Sequence, residues 1–246
     1  MSLVRIPTPR GSIPSFVATP TGSGPWSGVV LVHDGLGMTE DLRNHARWLA
    51  AEGFLAAAPD LFHDGGHIRC LVRTMRELAR GEERGRSQQA LASVRDWLRA
   101  RPNSTGLVGI MGFCLGGGFA LALAPGHGYS ASAANYGALT DQGWANLADA
   151  CPILASYGAD DPTLQGEGER LAQRLTQLRI PHDVKTYPGA GHGFMNDHSE
   201  DKVSWLFCVL NRLSRTRYDA EATEDARRRI SAFFAEHLRR ATGSPS

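Results

Sequence analysis

Short, uninterrupted apolar runs alternate with amphipathic stretches along most of this 246-residue chain, and that alternation admits few folds. The run 29–32 (Val-Val-Leu-Val) stops at the glycine-bearing loop His33-Asp34-Gly35-Leu36-Gly37. A helical stretch follows over 39–51, with Leu42, Ala46, Leu49 and Ala50 at helical spacing and Thr39 placed to cap it. The spacing predicts further strands over 54–58, 107–111, 131–136, 153–157 and 182–187, and helices over 69–80, 87–100, 116–124, 166–178 and roughly 220–240. Continuous apolar strands alternating with helices imply an α/β fold, a mostly parallel central sheet with helices on both faces. Neither a linker nor an internal repeat divides the chain, so it reads as one domain over 1–246. The stretch 198–215 breaks the rhythm and reads as an inserted helix or cap segment.

Composition narrows the function classes. Lys+Arg 26 against Asp+Glu 25 leaves a formal net charge of +1, without the concentrated basic face that releases counterions from phosphates. Arg227-Arg228-Arg229 lies close to Glu221, Glu224, Asp225 and Glu236 and reads as a solvated helix face. No apolar run approaches the ~20 residues of a membrane span. The start, MSLVRIPTPRGSIPSF, has early Pro and Gly and no apolar signal core. Cysteines 70, 114, 151 and 208 are too few for a disulfide framework in a chain this long. There is no CxxC or HExxH, and Gly65 and Gly66 argue against a helix that would align His63 with His67 as metal ligands. The expectation is a cytoplasmic protein, monomer or homodimer, with no cofactor, no metal, no nucleic-acid partner and no membrane partner.

The sharpest local signal is Gly112-Phe113-Cys114-Leu115-Gly116-Gly117-Gly118, which ends a predicted strand and opens a predicted helix. Where a strand turns directly into a helix, side chains two before and two after the central residue collide, and Gly112 and Gly116 remove them. Such a turn holds its central side chain exposed above the sheet edge. Here that side chain is the thiol of Cys114, at a helix N-terminus whose dipole and N–H groups favour thiolate. A plain glycine-rich turn with Cys114 as a small buried hydrophobe is the competing reading. The order of later polar residues weighs against it. The strand at 153–157 ends in Gly158-Ala159-Asp160-Asp161-Pro162, and that at 182–187 leads into Gly189-Ala190-Gly191-His192-Gly193-Phe194. Nucleophile, acid and histidine thus follow one another at carboxyl ends of strands, where open α/β sheets place their sites. The backbone N–H groups of Gly35 and Leu115 are positioned as an oxyanion hole.

These segments resemble the dienelactone hydrolase (carboxymethylenebutenolidase) family of the α/β-hydrolase fold. The matching stretches are GVVLVHDGLGM at 28–38, APDLF at 58–62, GIMGFCLGGGFALALA at 109–124, YGADDPTL at 157–164, AGHGFMND at 190–197 and TRYDAEATEDARRRISAFF at 216–234. The resemblance implies Cys114 as nucleophile, Asp161 in preference to Asp160 as acid, and His192 as base, with Gly35 and Leu115 at the oxyanion. It also implies a gating place for Asp34, where the family has a glutamate that bonds the resting nucleophile. Two departures bear on substrate. Asn196 stands where the family has an arginine after the histidine, and the family's second arginine falls among Arg69, Arg73 and Arg76, with Arg73 the candidate substrate contact, although these three read more readily as a basic, solvated helix face. Losing one of two arginines removes half of a charge-assisted clamp, which argues against a strongly anionic lactone.

The implied activity is hydrolysis of a small-molecule ester or lactone through a thioester, favouring activated substrates with good leaving groups. Phe113, Tyr136, Trp144 and Phe194 are candidates for an apolar pocket, although each also suits core packing. The alternatives are a non-hydrolytic fold member whose Cys114 senses redox or binds a ligand, and an acyltransferase.

Overall fold

The computed structural model describes residues 1–82, 85–198 and 217–238. Eight strands, β1 (Ser2–Thr8), β2 (Gly11–Ala18), β3 (Trp26–Val32), β4 (Leu55–Pro59), β5 (Ser104–Phe113), β6 (Ala131–Asn135), β7 (Ile153–Gly158) and β8 (His182–Tyr187), form one sheet in the order β1-β2-β4-β3-β5-β6-β7-β8. From β4 to β8 every pairing is parallel, while β2 runs antiparallel to both β1 and β4. The interior strands are buried along almost their whole length, so they carry continuous apolar sequence.

The helices are α1 (Glu40–Ala51), α2 (His67–Ala79), α3 (Arg86–Arg99), α4 (Leu115–Ala122), a short α5 (Asp141–Ala145), α6 (Glu167–Leu178) and α7 (Ala220–His237). Thr39 caps α1 by accepting the Leu42 N–H at 3.2 Å, and Asp219 caps α7 by accepting the Ala222 N–H at 3.0 Å. Two strand glycines set how closely the layers approach. A Cβ on Gly28 would lie 3.1 Å from Leu98 of α3, and one on Gly109 would lie 3.0 Å from Phe234 of α7. Gly28 pairs with Val108, and Val29 pairs with Gly109, so the two glycines face opposite sides of the sheet. Helices α3 and α7 therefore cover opposite faces, and α1 joins α7 through Arg227, which lies over the Trp48 ring.

The hairpin β1–β2 and the short helix α5 are elements the sequence pattern did not predict. Of the expected insertion at 198–215, His198 alone falls among the described residues. No helix among the described residues is long and apolar enough to cross a membrane.

Candidate active site

Six loops at the carboxyl ends of the parallel strands converge on one cleft of about 510 Å3, lined among others by Asp34, Gly35, Cys114, Leu115, Tyr136, His192 and Asn196. Cys114 sits between β5 and α4 at φ 52°, ψ −112°, a conformation L residues rarely adopt. The flanking glycines explain how the chain tolerates it. A Cβ on Gly112 would lie 1.9 Å from the Gly116 carbonyl oxygen, and one on Gly116 would lie 2.2 Å from that of Val32. The Cys114 N–H donates to the Asn135 carbonyl at 3.0 Å, tying the turn to β6.

His192 reaches this thiol from the loop after β8. Its Nδ1 lies 2.6 Å from Asp161 Oδ2, and the Cys114 thiol stands near enough to the ring to raise its pKa. Asp161 is 0% exposed; its second oxygen accepts from Thr163 N–H at 2.8 Å and from Thr163 Oγ1 at 2.6 Å. Asp160, the neighbouring alternative, is exposed. Backbone hydrogen bonds stitch the two loops together: Ala159 N–H to the Tyr187 carbonyl and Asp160 N–H to the Ala190 carbonyl, each at 2.9 Å. Burial raises the Asp161 carboxyl, but the hydrogen bonds from His192 and Thr163 outweigh it and hold the group below its ordinary value. Burial opposes the charged form of His192 too, yet the bonds to Asp161 and Cys114 prevail and lift it to about 10. The geometry favours an imidazolium beside the sulfur.

The loop after β3 supplies the opposite wall. His33 Nε2 accepts the Leu61 N–H at 3.2 Å, so its Nδ1 must carry the proton and donate to the Asp34 carbonyl at 2.7 Å. Burial lowers the pKa of this histidine, consistent with the neutral ring that the bonding pattern requires. His67 Nε2 donates to the Gly35 carbonyl at 2.9 Å, clamping the same peptide stretch. The N–H groups of Gly35 and Leu115 have no hydrogen-bond partner among the described residues.

Several expected contacts fall elsewhere. Asp34 does line the cleft, but its carboxylate accepts the Leu36 N–H at 2.8 Å and lies 3.2 Å from His198 Nε2, not on Cys114. Asn196 lines the cleft with its amide already engaged: Oδ1 accepts from the Tyr136 hydroxyl and Nδ2 donates to Asp41 Oδ2 at 2.6 Å. Arg73, taken from sequence as a substrate contact, is corrected by the structure. Its guanidinium donates to the Leu61 carbonyl at 3.2 Å, in a different cleft with Arg10 and His63. At about 100° per residue, Leu71, Met75 and Leu78 share an arc of about 60° facing the active cleft, while Arg69, Arg73 and Arg76 all fall on the far side of α2. Of the four aromatic candidates, Tyr136 alone lines the cleft; Phe113 and Phe194 are core residues and Trp144 stacks under Arg170. His67, read as a loop residue, begins α2, and His63 Nδ1 donates to the Asp60 carbonyl at 2.7 Å.

The sequence reading missed the residues that hold the histidine loop in place. Asp41 on α1 accepts both the Asn196 amide and, at 3.0 Å, the Asp197 N–H. His45, one turn on, bonds the Met195 carbonyl at 3.1 Å, and Thr223 of α7 donates to the Phe194 carbonyl at 2.9 Å. Burial pushes Asp41 up to about 6 in spite of its hydrogen bonds. Tyr136 adds a further contact, its ring packed edge-on to His192 at 5.3 Å between centroids. The two other described cysteines differ in kind: Cys70 is buried with its thiol on the Asp64 carbonyl, and burial pushes the Cys151 thiol up to about 12.

A profile of the dienelactone hydrolase family matches residues 13–238. A carboxymethylenebutenolidase of Rhodococcus opacus is 31% identical over 185 residues, spanning 71% of this chain and 72% of that protein. Among solved structures, a dienelactone hydrolase-like promiscuous phosphotriesterase from metagenomic libraries is 25% identical with a TM-score of 0.76, over 97% of this chain and 99% of the other. A dienelactone hydrolase of Anabaena variabilis shares the fold at 20% identity, with a TM-score of 0.65 over 97% and 98% of the two chains.

Proposed function

The chain belongs to the dienelactone hydrolase family, a family of ester and lactone hydrolases, and we propose that it works through a Cys114–His192–Asp161 triad and a thioester intermediate. The observation that carries this reading is the strained elbow thiol in one cleft with His192, whose imidazole has Asp161 2.6 Å behind it. The Cys114 sulfur, as thiolate, attacks the substrate carbonyl carbon, and the π pair moves to the carbonyl oxygen. That oxyanion is received by the N–H groups of Gly35 and Leu115. On collapse the C–O bond breaks, and the leaving oxygen takes the proton from His192. Water, giving its proton to the now neutral His192, then attacks the thioester and releases the acid and the thiolate. Asp161 holds the ring with Nδ1 protonated throughout.

The direct test is to mix the protein with excess p-nitrophenyl acetate, quench in acid, and map acyl groups on peptides by mass spectrometry. One acetyl on the Cys114 peptide, removed by hydroxylamine, is the expected result. An acyl group on another residue, or full activity after Cys114 has been alkylated, overturns the reading and returns weight to a non-hydrolytic thiol. Product analysis with an added alcohol or amine distinguishes hydrolysis from acyl transfer.

The titration of His192 makes a second prediction. Its pKa rises from 6.5 to about 10, so the protonated form is the one the fold stabilises. That contribution to stability is complete below about pH 6.5 and is lost as pH rises through about 10. A plot of kcat/KM against pH is expected to fall above about 10 as the imidazolium deprotonates. In Asp161→Asn the largest raising contact is weakened, so the alkaline limb moves to lower pH while kcat drops by roughly 10²–10⁴-fold. A limb that stays fixed in that variant assigns it to another group.

A further inference from the structure

We infer that the substrate presents a neutral, apolar acyl group to the α2 wall of the cleft, and that carboxylated acyl groups are excluded; this rests on the thiol-hydrolase reading above. The wall beyond Cys114 is built from Leu71, Met75 and Leu78 of α2, with Leu115, Ala138 and Leu164 beside them. The volume of about 510 Å3 lies in the range of small-molecule sites. Leu78 also reaches the first turn of α4, the helix that starts just after Cys114, because a Cβ on Gly118 would lie 2.8 Å from its Cδ2. The apolar wall is therefore continuous with the reacting thiol.

Charge points the same way. Among the described residues, the ionisable groups lining the cleft are Asp34, Cys114, Tyr136, His192 and His198. His192 is engaged by Asp161 and Cys114, and His198 lies 3.2 Å from the Asp34 carboxylate. Among the described residues neither arginine nor lysine lines the cleft, and the amide of Asn196 is already bonded on both sides. A substrate carboxylate would lose water against leucine and methionine and share the cleft with the Asp34 carboxylate. Desolvating a charge without a partner is strongly unfavourable. A methylene chain placed there gains from burial.

The test compares kcat/KM for p-nitrophenyl acetate, butyrate and hexanoate, and for a carboxylate and its methyl ester, p-nitrophenyl hydrogen glutarate and p-nitrophenyl methyl glutarate. The neutral series is expected to improve by roughly two- to fourfold per methylene. The free acid is expected to fall on the order of 10²-fold below its methyl ester. Met75 is 53% exposed, so Met75→Arg is compatible with folding and places a cation on the wall. In that variant the acid-to-ester ratio is expected to rise by about fivefold. A flat chain-length series, or a free acid that matches its ester, overturns the inference and leaves acetate hydrolysis and the triad standing. No turnover of any ester, acetate included, overturns the hydrolase reading and the inference together.

Discussion

Cys114→Ala is expected to lower kcat for ester hydrolysis by about 10⁶-fold, the scale of losing the nucleophile from a catalytic unit. Folding stability should stay within about 1 kcal/mol of the parent, since the thiol is small and half-buried. The companion variant Cys114→Gly separates function from structure. At φ 52°, ψ −112° a side chain costs about 1–3 kcal/mol of backbone strain. Glycine relieves that strain but gives back part of the gain through its freer unfolded chain, roughly 0.5–1 kcal/mol. The expected result is a Tm at or a few degrees above the parent together with no hydrolysis. A protein that holds an unfavourable cysteine where glycine fits better retains it for its chemistry. Thermal melts beside p-nitrophenyl acetate kinetics decide the matter. A Cys114→Ala variant with more than a few per cent of parental kcat would show that hydrolysis does not run through this sulfur.

The pH and substrate behaviour argued above depend on loops far apart in sequence, and this explains what the chain disclosed and what it did not. Buried parallel strands were legible because both faces are covered, leaving uninterrupted runs such as 29–32 and 153–157. The elbow was legible because its two glycines fall within five residues, although only the demand on Gly112 is local and that on Gly116 comes from Val32 and His33 at the end of β3. The β1–β2 hairpin was not. Pro7 and Pro14 read against strands, yet β1 is an edge strand and the Pro14 carbonyl still accepts the Asp60 N–H at 2.9 Å. The alternation of Ile13, Ser15 and Val17 and the turn at Gly11, φ 117°, were the available signals.

The cleft wall was hidden for a different reason. Helix α2 is amphipathic, and periodicity gives two faces without saying which one meets the cleft. Arg73 was the candidate substrate contact against a solvated-face reading of the arginines; the leucine and methionine face lines the cleft. Asp41 and His45 were invisible because they act on residues about 150 positions later, bonding Met195, Asn196 and Asp197 across the α1 surface. Asn196 illustrates the coupling. Read as a substrate contact that had lost its charge, it is a strut between Tyr136 and Asp41, and so fixes the loop that carries His192. An arginine there would have to displace both partners to reach a ligand.

The second large effect concerns Gly116, and it is expected in folding before it is seen in activity. In Gly116→Ala the new Cβ would lie 2.2 Å from the Val32 carbonyl oxygen, 2.7 Å from the Val32 carbonyl carbon and 2.7 Å from the His33 carbonyl oxygen. All three are backbone atoms, so no rotamer change relieves the contact. Either α4 withdraws from the sheet or the end of β3 moves, and the latter carries the Gly35 loop with it. Forcing atoms into a close-packed core costs typically 1–3 kcal/mol when side chains can adjust, and here the backbone of the central strands must do so. A loss above about 4 kcal/mol is expected, which is a large share of the 5–15 kcal/mol that stabilises a domain. Gly189→Ala supplies the comparison, since that position has φ 77° but nothing within 4 Å of a Cβ. Its cost should be the conformational one alone, about 1–2 kcal/mol. Urea unfolding of both variants, with activity measured on whatever fraction of Gly116→Ala remains folded, tests the proposal. A folded Gly116→Ala protein with near-parental stability and turnover would mean that α4 does not press on β3 as closely as the elbow requires, and the oxyanion geometry drawn from it would fall as well.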